Sequence, residues 1–154
     1  MNIYAGASAI DLKTILYRLV RLIVGTAFTS DFAAISGYEN ATGIDRTDDL
    51  ASELRLRAFN VVEGFGSYKG EKERSLLVLP RSSDGKFTGA EIETLRQLAA
   101  AYYQDSFMLN ADIPVLVYKD GIKEPIGGGR YMLGDAVKDL DYYSEFAGVA
   151  FSVV

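Results

Sequence analysis

The sequence predicts an α+β domain in which helices pack on one face of an antiparallel sheet. Two observations predict this class. Short runs of β-branched and aromatic residues alternate along the chain with segments of helical periodicity. Several of the predicted strands are joined by short turns rich in glycine, asparagine or aspartate, which suit antiparallel neighbours. We therefore expect a sheet built largely from hairpins.

The length and the charge limit the classes of protein. A chain of 154 residues can form one domain with a substantial core. The formal net charge is -5, with basic residues scattered between acidic ones, so no basic face suits a nucleic-acid backbone. We expect a single domain over residues 31–154 that does not bind nucleic acid.

The absence of two residue types restricts the possible chemistry. The chain has no cysteine, which excludes disulfides, thiolate catalysis and sulfur-ligated zinc. It also has no histidine, so the commonest general base, the commonest metal ligand and the Ser-His triad are missing together. An enzyme of this composition must work through carboxylates, tyrosines, amides and positioning.

Residues 1–30 are predicted to form an amphipathic helical extension. Ser8 and Asp11 have the spacing of a capping box, and Arg18 and Arg21 interrupt the apolar run, which is too short for a spanning helix of about 20 residues. We expect a packing or oligomer-contact helix, with a membrane-surface helix as the alternative. The apolar face consists of Leu12, Ile15, Leu16, Leu19 and Ile23.

The order of elements after this helix predicts a more specific fold. Thr88 and Glu91 form a capping box and mark the clearest helix start. The predicted elements are a strand in 31–40, a helix in 45–59, strands in 60–68 and 74–80, a helix ending near Tyr103, and two strands in 106–121. This βαββαβ order is that of a ferredoxin-like domain. One sheet face would be left for a partner, so we expect a homo-oligomer.

The final third of the chain is predicted as an extension of this domain. Residues 127–135 resemble a loop, residues 135–146 a short helix, and residues 148–154 a last strand. The glycines at 127–129 lack the lysine and hydroxyl residue of a phosphate-binding loop.

The glycine-rich segment Gly64 to Pro80 contains the most interesting candidate site. Tyr68 and Glu73 flank a predicted hairpin turn with more glycine than a turn requires. Either this is a solvated hairpin tip, or the glycines let a ligand approach while Tyr68 and Glu73 face one pocket. The residue pattern alone leaves both interpretations open.

Two further segments carry candidate polar groups. Gln104 and Asp105 lie where a helix gives way to a strand, a place where amide and carboxylate groups can line a cleft or can simply cap backbone groups. The carboxylates Asp45, Asp48 and Asp49 lie at a helix start, where the helix dipole explains them better than a metal does. We therefore predict no metal site.

Several of these segments together resemble a known family. They are FAAISGYEN with Ser36, Gly37 and Tyr38, LRLR before the GSY turn, ERSLLVL opened by Glu73, YYQDSFML with Gln104 and Asp105, and VLVYKDG. In these segments the chain resembles the phage T3-type S-adenosylmethionine (SAM) lyases, historically called SAM hydrolases. The similarity spans Asp31 to Gly121.

The resemblance implies a function and an assembly. These enzymes split SAM into 5'-methylthioadenosine and homoserine lactone, without a cofactor, by attack of the substrate carboxylate on its own Cγ. The resemblance implies an oligomer, expected to be a trimer, with sites between subunits, acting in the cytoplasm of an infected bacterium as an anti-restriction device. It implies Tyr68 and Glu73 as catalytic residues and Ser36, Gly37, Tyr38, Gln104 and Asp105 as substrate-binding residues.

This chemistry is compatible with the composition. The sulfonium is a good leaving group and the nucleophile belongs to the substrate, so no histidine, cysteine or metal is needed. Two other classes stay open: a PII-like oligomer that binds SAM or an adenine nucleotide without turnover, and a protein-binding inhibitor of a host enzyme. Whether water or the substrate carboxylate attacks is also open from sequence.

Overall fold

The computed structural model of the protein describes residues 30–154. The predicted N-terminal helix, including its capping pair Ser8 and Asp11, lies outside the described residues. The predicted single domain 31–154 lies within them.

The described chain contains two α-helices, one 3-10 helix and eleven strands. The helices are α1 (Thr47–Leu56) and α2 (Gly89–Ala101), and the 3-10 helix is Asp135–Asp139. The strands are β1 (Phe32–Ile35), β2 (Tyr38–Glu39), β3 (Ile44–Asp45), β4 (Asn60–Tyr68), β5 (Glu71–Leu79), β6 (Ser106–Ala111), β7 (Ile113–Tyr118), β8 (Lys123–Pro125), β9 (Tyr131–Leu133), β10 (Tyr142–Phe146) and β11 (Val149–Val153).

Nine strands form one curled antiparallel sheet in the order β8-β7-β6-β1-β5-β4-β10-β11-β9, and β2 pairs with β3 separately. The α+β class predicted from the sequence is confirmed. The four strands of the predicted βαββαβ unit are neighbours in this sheet, in the order β6-β1-β5-β4. The final third of the chain extends the sheet beyond β4.

Both helices pack on one face of the sheet and form its main core. The predicted capping box at the start of α2 is confirmed, because the Glu91 amide donates to Thr88 Oγ1 at 3.1 Å and the Thr88 amide donates to Glu91 Oε1 at 2.9 Å. The most deeply buried core side chains are Ile35, Leu50, Leu54, Phe59, Leu76, Val78, Leu95 and Leu109.

The opposite face carries a second core supplied by the chain itself. Phe32 and Leu77 on the central strands are buried against Phe146 and Phe151 from the last two strands. The Phe32 and Phe151 rings meet edge to face, with centroids 5.7 Å apart. We expected this face to be left for a partner. That expectation is wrong for its inner half, the part around Phe32 and Leu77, which the last strands cover. The outer half, next to the Lys69–Gly70 turn, stays open.

Three local predictions differ from the structure. Residues 131–133, predicted as part of a loop, form strand β9, because they pair with β11. Residues 135–146 form a short 3-10 helix followed by strand β10, because Leu140 is extended and the Tyr142–Phe146 segment pairs with β4. The glycine-rich turn is also narrower than predicted. Gly64 and Gly66 lie inside β4, and the turn itself is Lys69 and Gly70, both with left-handed φ.

Candidate functional site

A cleft of about 1200 Å³ opens on the outer half of the second sheet face. Its floor is the part of β4 and β5 next to the Lys69–Gly70 turn, together with β10. Residues of β7 and β8 line it on one side, and β11 lines it on the other. The lining includes Ser36, Tyr38, Tyr68, Glu73, Tyr142 and Ser144.

Sheet geometry explains why Tyr68 and Glu73 meet in this cleft. Tyr68 pairs with Glu71 across the hairpin, and Glu73 pairs with Gly66. Directly opposite residues of an antiparallel pair point to the same face, and so do residues two apart on one strand. Tyr68 and Glu73 are therefore diagonal neighbours on one face, as the pocket interpretation of the sequence required.

Glu73 is a half-buried carboxylate that is free to bind a ligand. Among the described residues, no hydrogen-bond donor or cation contacts it. Glu71 and Glu124 also line the cleft. Lys72 points to the opposite face, where its ammonium lies 4.6 Å from the centre of the Phe65 ring. The ammonium next to the cleft is that of Lys69, 5.3 Å from the centre of the Tyr68 ring. Three carboxylates and one ammonium give the cleft a negative potential, which favours a cationic ligand.

Ser36 and Tyr38 line the same cleft from the other side of β5. The Ser36 hydroxyl donates to the Arg74 carbonyl at 2.7 Å and accepts from the Tyr38 amide at 3.0 Å. Both bonds are internal to the protein, so Ser36 holds the backbone of this wall in place. The Tyr38 side chain is half-buried and faces the cleft.

Gly37 has a structural reason to be glycine. A Cβ at this position would lie 2.6 Å from the Thr47 amide nitrogen at the start of α1. The Gly37 carbonyl accepts from the Arg46 amide at 2.8 Å, and its amide donates to Thr47 Oγ1 at 3.3 Å. The residue fixes α1 against β1 and does not line the cleft.

Gln104 and Asp105 also lie outside the cleft lining. The Gln104 side-chain amide donates to the Tyr38 carbonyl at 2.7 Å, so it supports the wall that carries Tyr38. The side chain of Asp105 is 88% exposed, and its carboxylate lies 3.5 Å from the Lys119 ammonium. The structure thus brings together Tyr68, Glu73, Ser36 and Tyr38 in one cleft. Gln104 does not reach the cleft and contacts only the Tyr38 backbone behind it.

The sequence reasoning missed the side of the cleft formed by the last third of the chain. Tyr142 pairs directly with Tyr68, and Ser144 pairs with Gly66, so both share the floor with the predicted residues. Phe151 lies opposite Ser144 on β11. The available signal was the aromatic content of residues 142–146, since Tyr142, Tyr143 and Phe146 favour a strand.

A polar cluster on the opposite face explains the acidic start of α1. Arg74 contacts Asp48 at 2.6 Å, Glu63 at 3.0 Å and Asp45 at 3.3 Å. Partial burial alone would raise the pKa of Asp45, but hydrogen bonds from Thr47 and the charge of Arg74 outweigh it and hold the pKa below its ordinary value of 3.8. These carboxylates pair with an arginine and tie α1 to the hairpin.

Over residues 30–154, no group of three or more Asp or Glu side chains has an arrangement suited to a metal ion. No helix in the same range is long and apolar enough to cross a bilayer.

No protein-family model matches the chain, and no curated protein matches it either. The likeness to SAM lyases therefore depends on the segments quoted from the sequence.

Proposed function

We propose that the protein is a SAM lyase whose substrate binds in the cleft beside Tyr68 and Glu73. The observation that carries this proposal is the Glu73 carboxylate, which no donor or cation within residues 30–154 contacts, next to tyrosine rings in a cleft of net negative charge. SAM carries a sulfonium and an ammonium, and aromatic faces and carboxylates both attract such cations. The cleft volume is also adequate for a ligand of this size.

The reaction needs little from the protein beyond positioning. The substrate carboxylate oxygen forms a bond to Cγ while the bond from Cγ to sulfur breaks, and the electron pair leaves with neutral 5'-methylthioadenosine. Homoserine lactone is the other product, and no proton is transferred. Holding such an intramolecular nucleophile in line contributes about 7–11 kcal/mol. A chain without histidine or cysteine can perform this chemistry.

Each cleft residue has a role in this proposal. Glu73 holds the substrate ammonium, and the Tyr68 hydroxyl fixes the reacting conformer. Gln104 is a positioning residue, because its amide is bound to the Tyr38 carbonyl. Gly37 supports the wall of the cleft by fixing α1 against β1, and Asp105, which lies outside the cleft beside Lys119, has no role in this proposal.

The proposed fold and assembly follow the same resemblance. The order β6-β1-β5-β4, with β5 between β1 and β4, is what a ferredoxin-like split βαβ arrangement requires. We propose a homo-oligomer, expected to be a trimer, in which a neighbouring subunit closes the open side of the cleft. Its place of action would be the cytoplasm of a phage-infected bacterium, where it removes the methyl donor of restriction systems.

The test compares 5'-methylthioadenosine formation from SAM by wild-type protein and two variants. Glu73→Gln is expected to lower kcat/KM roughly 10- to 100-fold, because a charged contact is lost, and Tyr68→Phe roughly 2- to 10-fold. The matched controls are Asp139→Asn and Tyr103→Phe, which change exposed residues outside the cleft.

The outcomes separate the proposal from its alternatives. Full activity in folded Glu73→Gln and Tyr68→Phe variants would contradict the proposed site. Saturable SAM binding with no product would instead indicate the PII-like binding protein. Intact SAM with no binding would leave the inhibitor of a host enzyme as the better hypothesis.

A further inference from the structure

We infer that the cleft contains a subsite for a purine ring, built over Gly66 and bordered by Tyr68 and Tyr142. This deepens the proposed function and rests on it for the identity of the ligand. The subsite would hold the adenosyl part of the substrate, while Glu73 holds its charged end. Three features of the described residues carry this inference.

The first feature is that the fold itself does not need glycine at position 66. A Cβ added there meets no atom of residues 30–154 within 4 Å, and the φ of Gly66 is outside the left-handed region. Gly64, two residues earlier, differs because its Cβ would lie 2.5 Å from the Phe146 ring. The missing side chain at Gly66 therefore leaves open space over the cleft floor that neither packing nor turn geometry explains.

The second feature is the row of groups that crosses the floor at Gly66. Gly66 pairs with Glu73 on one side and with Ser144 on the other. The Glu73 carboxylate, the Gly66 backbone and the Ser144 hydroxyl thus lie in one row across the sheet. The row spans two strand spacings, about 10 Å in total. This length suits a nucleoside with a short charged side chain. Phe151 continues the row and gives its far end an apolar side.

The third feature is a pair of exposed tyrosines in the adjacent row. Tyr68 and Tyr142 are directly opposite each other, and they are 60% and 45% exposed. The Tyr142 hydroxyl donates to the Val153 carbonyl at 3.4 Å, which places this ring on the β11 side of the floor. The Lys69 ammonium lies 5.3 Å from the centre of the Tyr68 ring, which leaves Tyr142 as the main stacking side chain. Flat rings stack well on such side chains, and every nucleobase has the required face.

The test measures binding of 5'-methylthioadenosine to the full chain by isothermal titration calorimetry. Tyr142→Ala is expected to weaken binding about 5- to 150-fold, because base stacking is lost, while Tyr142→Phe keeps the ring and the affinity. Gly66→Val is expected to weaken binding because its side chain fills the space. Tyr103→Ala, which removes a tyrosine of similar exposure outside the cleft, is the control.

The outcomes distinguish the subsite from the proposed reaction. Unchanged affinity in folded Tyr142→Ala and Gly66→Val proteins would overturn the subsite, and so would a wild-type protein that does not bind the probe. SAM turnover with unchanged probe binding in both variants would leave the lyase standing without this subsite. Probe binding that both variants weaken, with no SAM turnover in the wild type, would support the subsite and contradict the lyase.

Discussion

Glu91 shows how one buried carboxylate can make the fold depend on pH. Its side chain is 3% exposed and lies 3.0 Å from the Arg81 side-chain nitrogen. Burial alone would raise the pKa of Glu91, but hydrogen bonds from the Thr88 amide and from Arg81 outweigh it and lower the pKa below the ordinary value of 4.5. The folded state therefore binds this proton less readily than the unfolded chain does.

We expect the free energy of unfolding to fall as the pH drops below about 4.5 and through the lowered pKa of Glu91, because the unfolded chain takes up the proton first. Above 4.5 the contribution of Glu91 is fully present. Glu91→Gln should cost about 1–3 kcal/mol at neutral pH and flatten this part of the pH profile. Urea titrations from pH 3 to pH 7 measure both effects.

The matched control is Glu93→Gln, which breaks an exposed ion pair with Arg96 on the outer face of α2. It should change stability by less than about 1 kcal/mol. If Glu91→Gln and Glu93→Gln lowered the free energy of unfolding equally, the stabilising role of the Thr88–Glu91 capping box would be contradicted.

Strand β4 contains two glycines with different reasons to be present. Gly64 lies under the Phe146 ring and beside the Glu145 carbonyl, whereas the space above Gly66 is empty. Gly64→Ala should destabilise the protein by about 1–3 kcal/mol through overpacking. Gly66→Ala should be neutral or stabilise it by up to about 1 kcal/mol, because alanine suits a strand interior better than glycine.

Thermal or urea unfolding of the two alanine variants checks this contrast. Equal destabilisation by both substitutions would mean that Gly66 is needed for folding. The inference that a ligand occupies the space above it would then lose its first support.

The elements with clear local signals were predictable from sequence. The capping pair Thr88 and Glu91 marked the start of α2, and short runs of strand-forming residues between turns predicted β4 to β7. The segment around Tyr142 was mispredicted because its strand character depends on pairing with β4, a contact between residues far apart in sequence. The far side of the cleft was missed for the same reason.

The candidate site was predictable only where it lies on one hairpin. Tyr68 and Glu73 share a face because the two strands are adjacent in sequence and fixed in register by a two-residue turn. Ser144 and Phe151 join them only through the order of the whole sheet, which the local pattern of residues 142–154 does not encode.

At the scale of the whole molecule, the curled sheet has two differently covered faces. The helices cover one face, and the chain's own last strands cover the inner half of the other. The cleft is the outer half that stays open. Exposed apolar residues such as Ile113 and Ile122, 54% and 63% exposed near the β7–β8 edge, are candidates for contacts between subunits.

We predict a trimer in solution. Size-exclusion chromatography with light scattering should give a mass three times that of the 16.8 kDa chain. A species with the mass of one chain at the concentrations used for activity would contradict the proposed assembly. If that monomer still degraded SAM, the site would lie within a single subunit.

We propose that the cleft turns over SAM by attack of the substrate's own carboxylate, and the source of the product oxygen tests this. The most direct measurement incubates the purified protein with SAM in oxygen-18 water and follows the early products by mass spectrometry. We expect 5'-methylthioadenosine together with unlabelled homoserine lactone. Labelled homoserine formed without prior lactone would show that water is the nucleophile, and SAM that stays intact would contradict the lyase altogether.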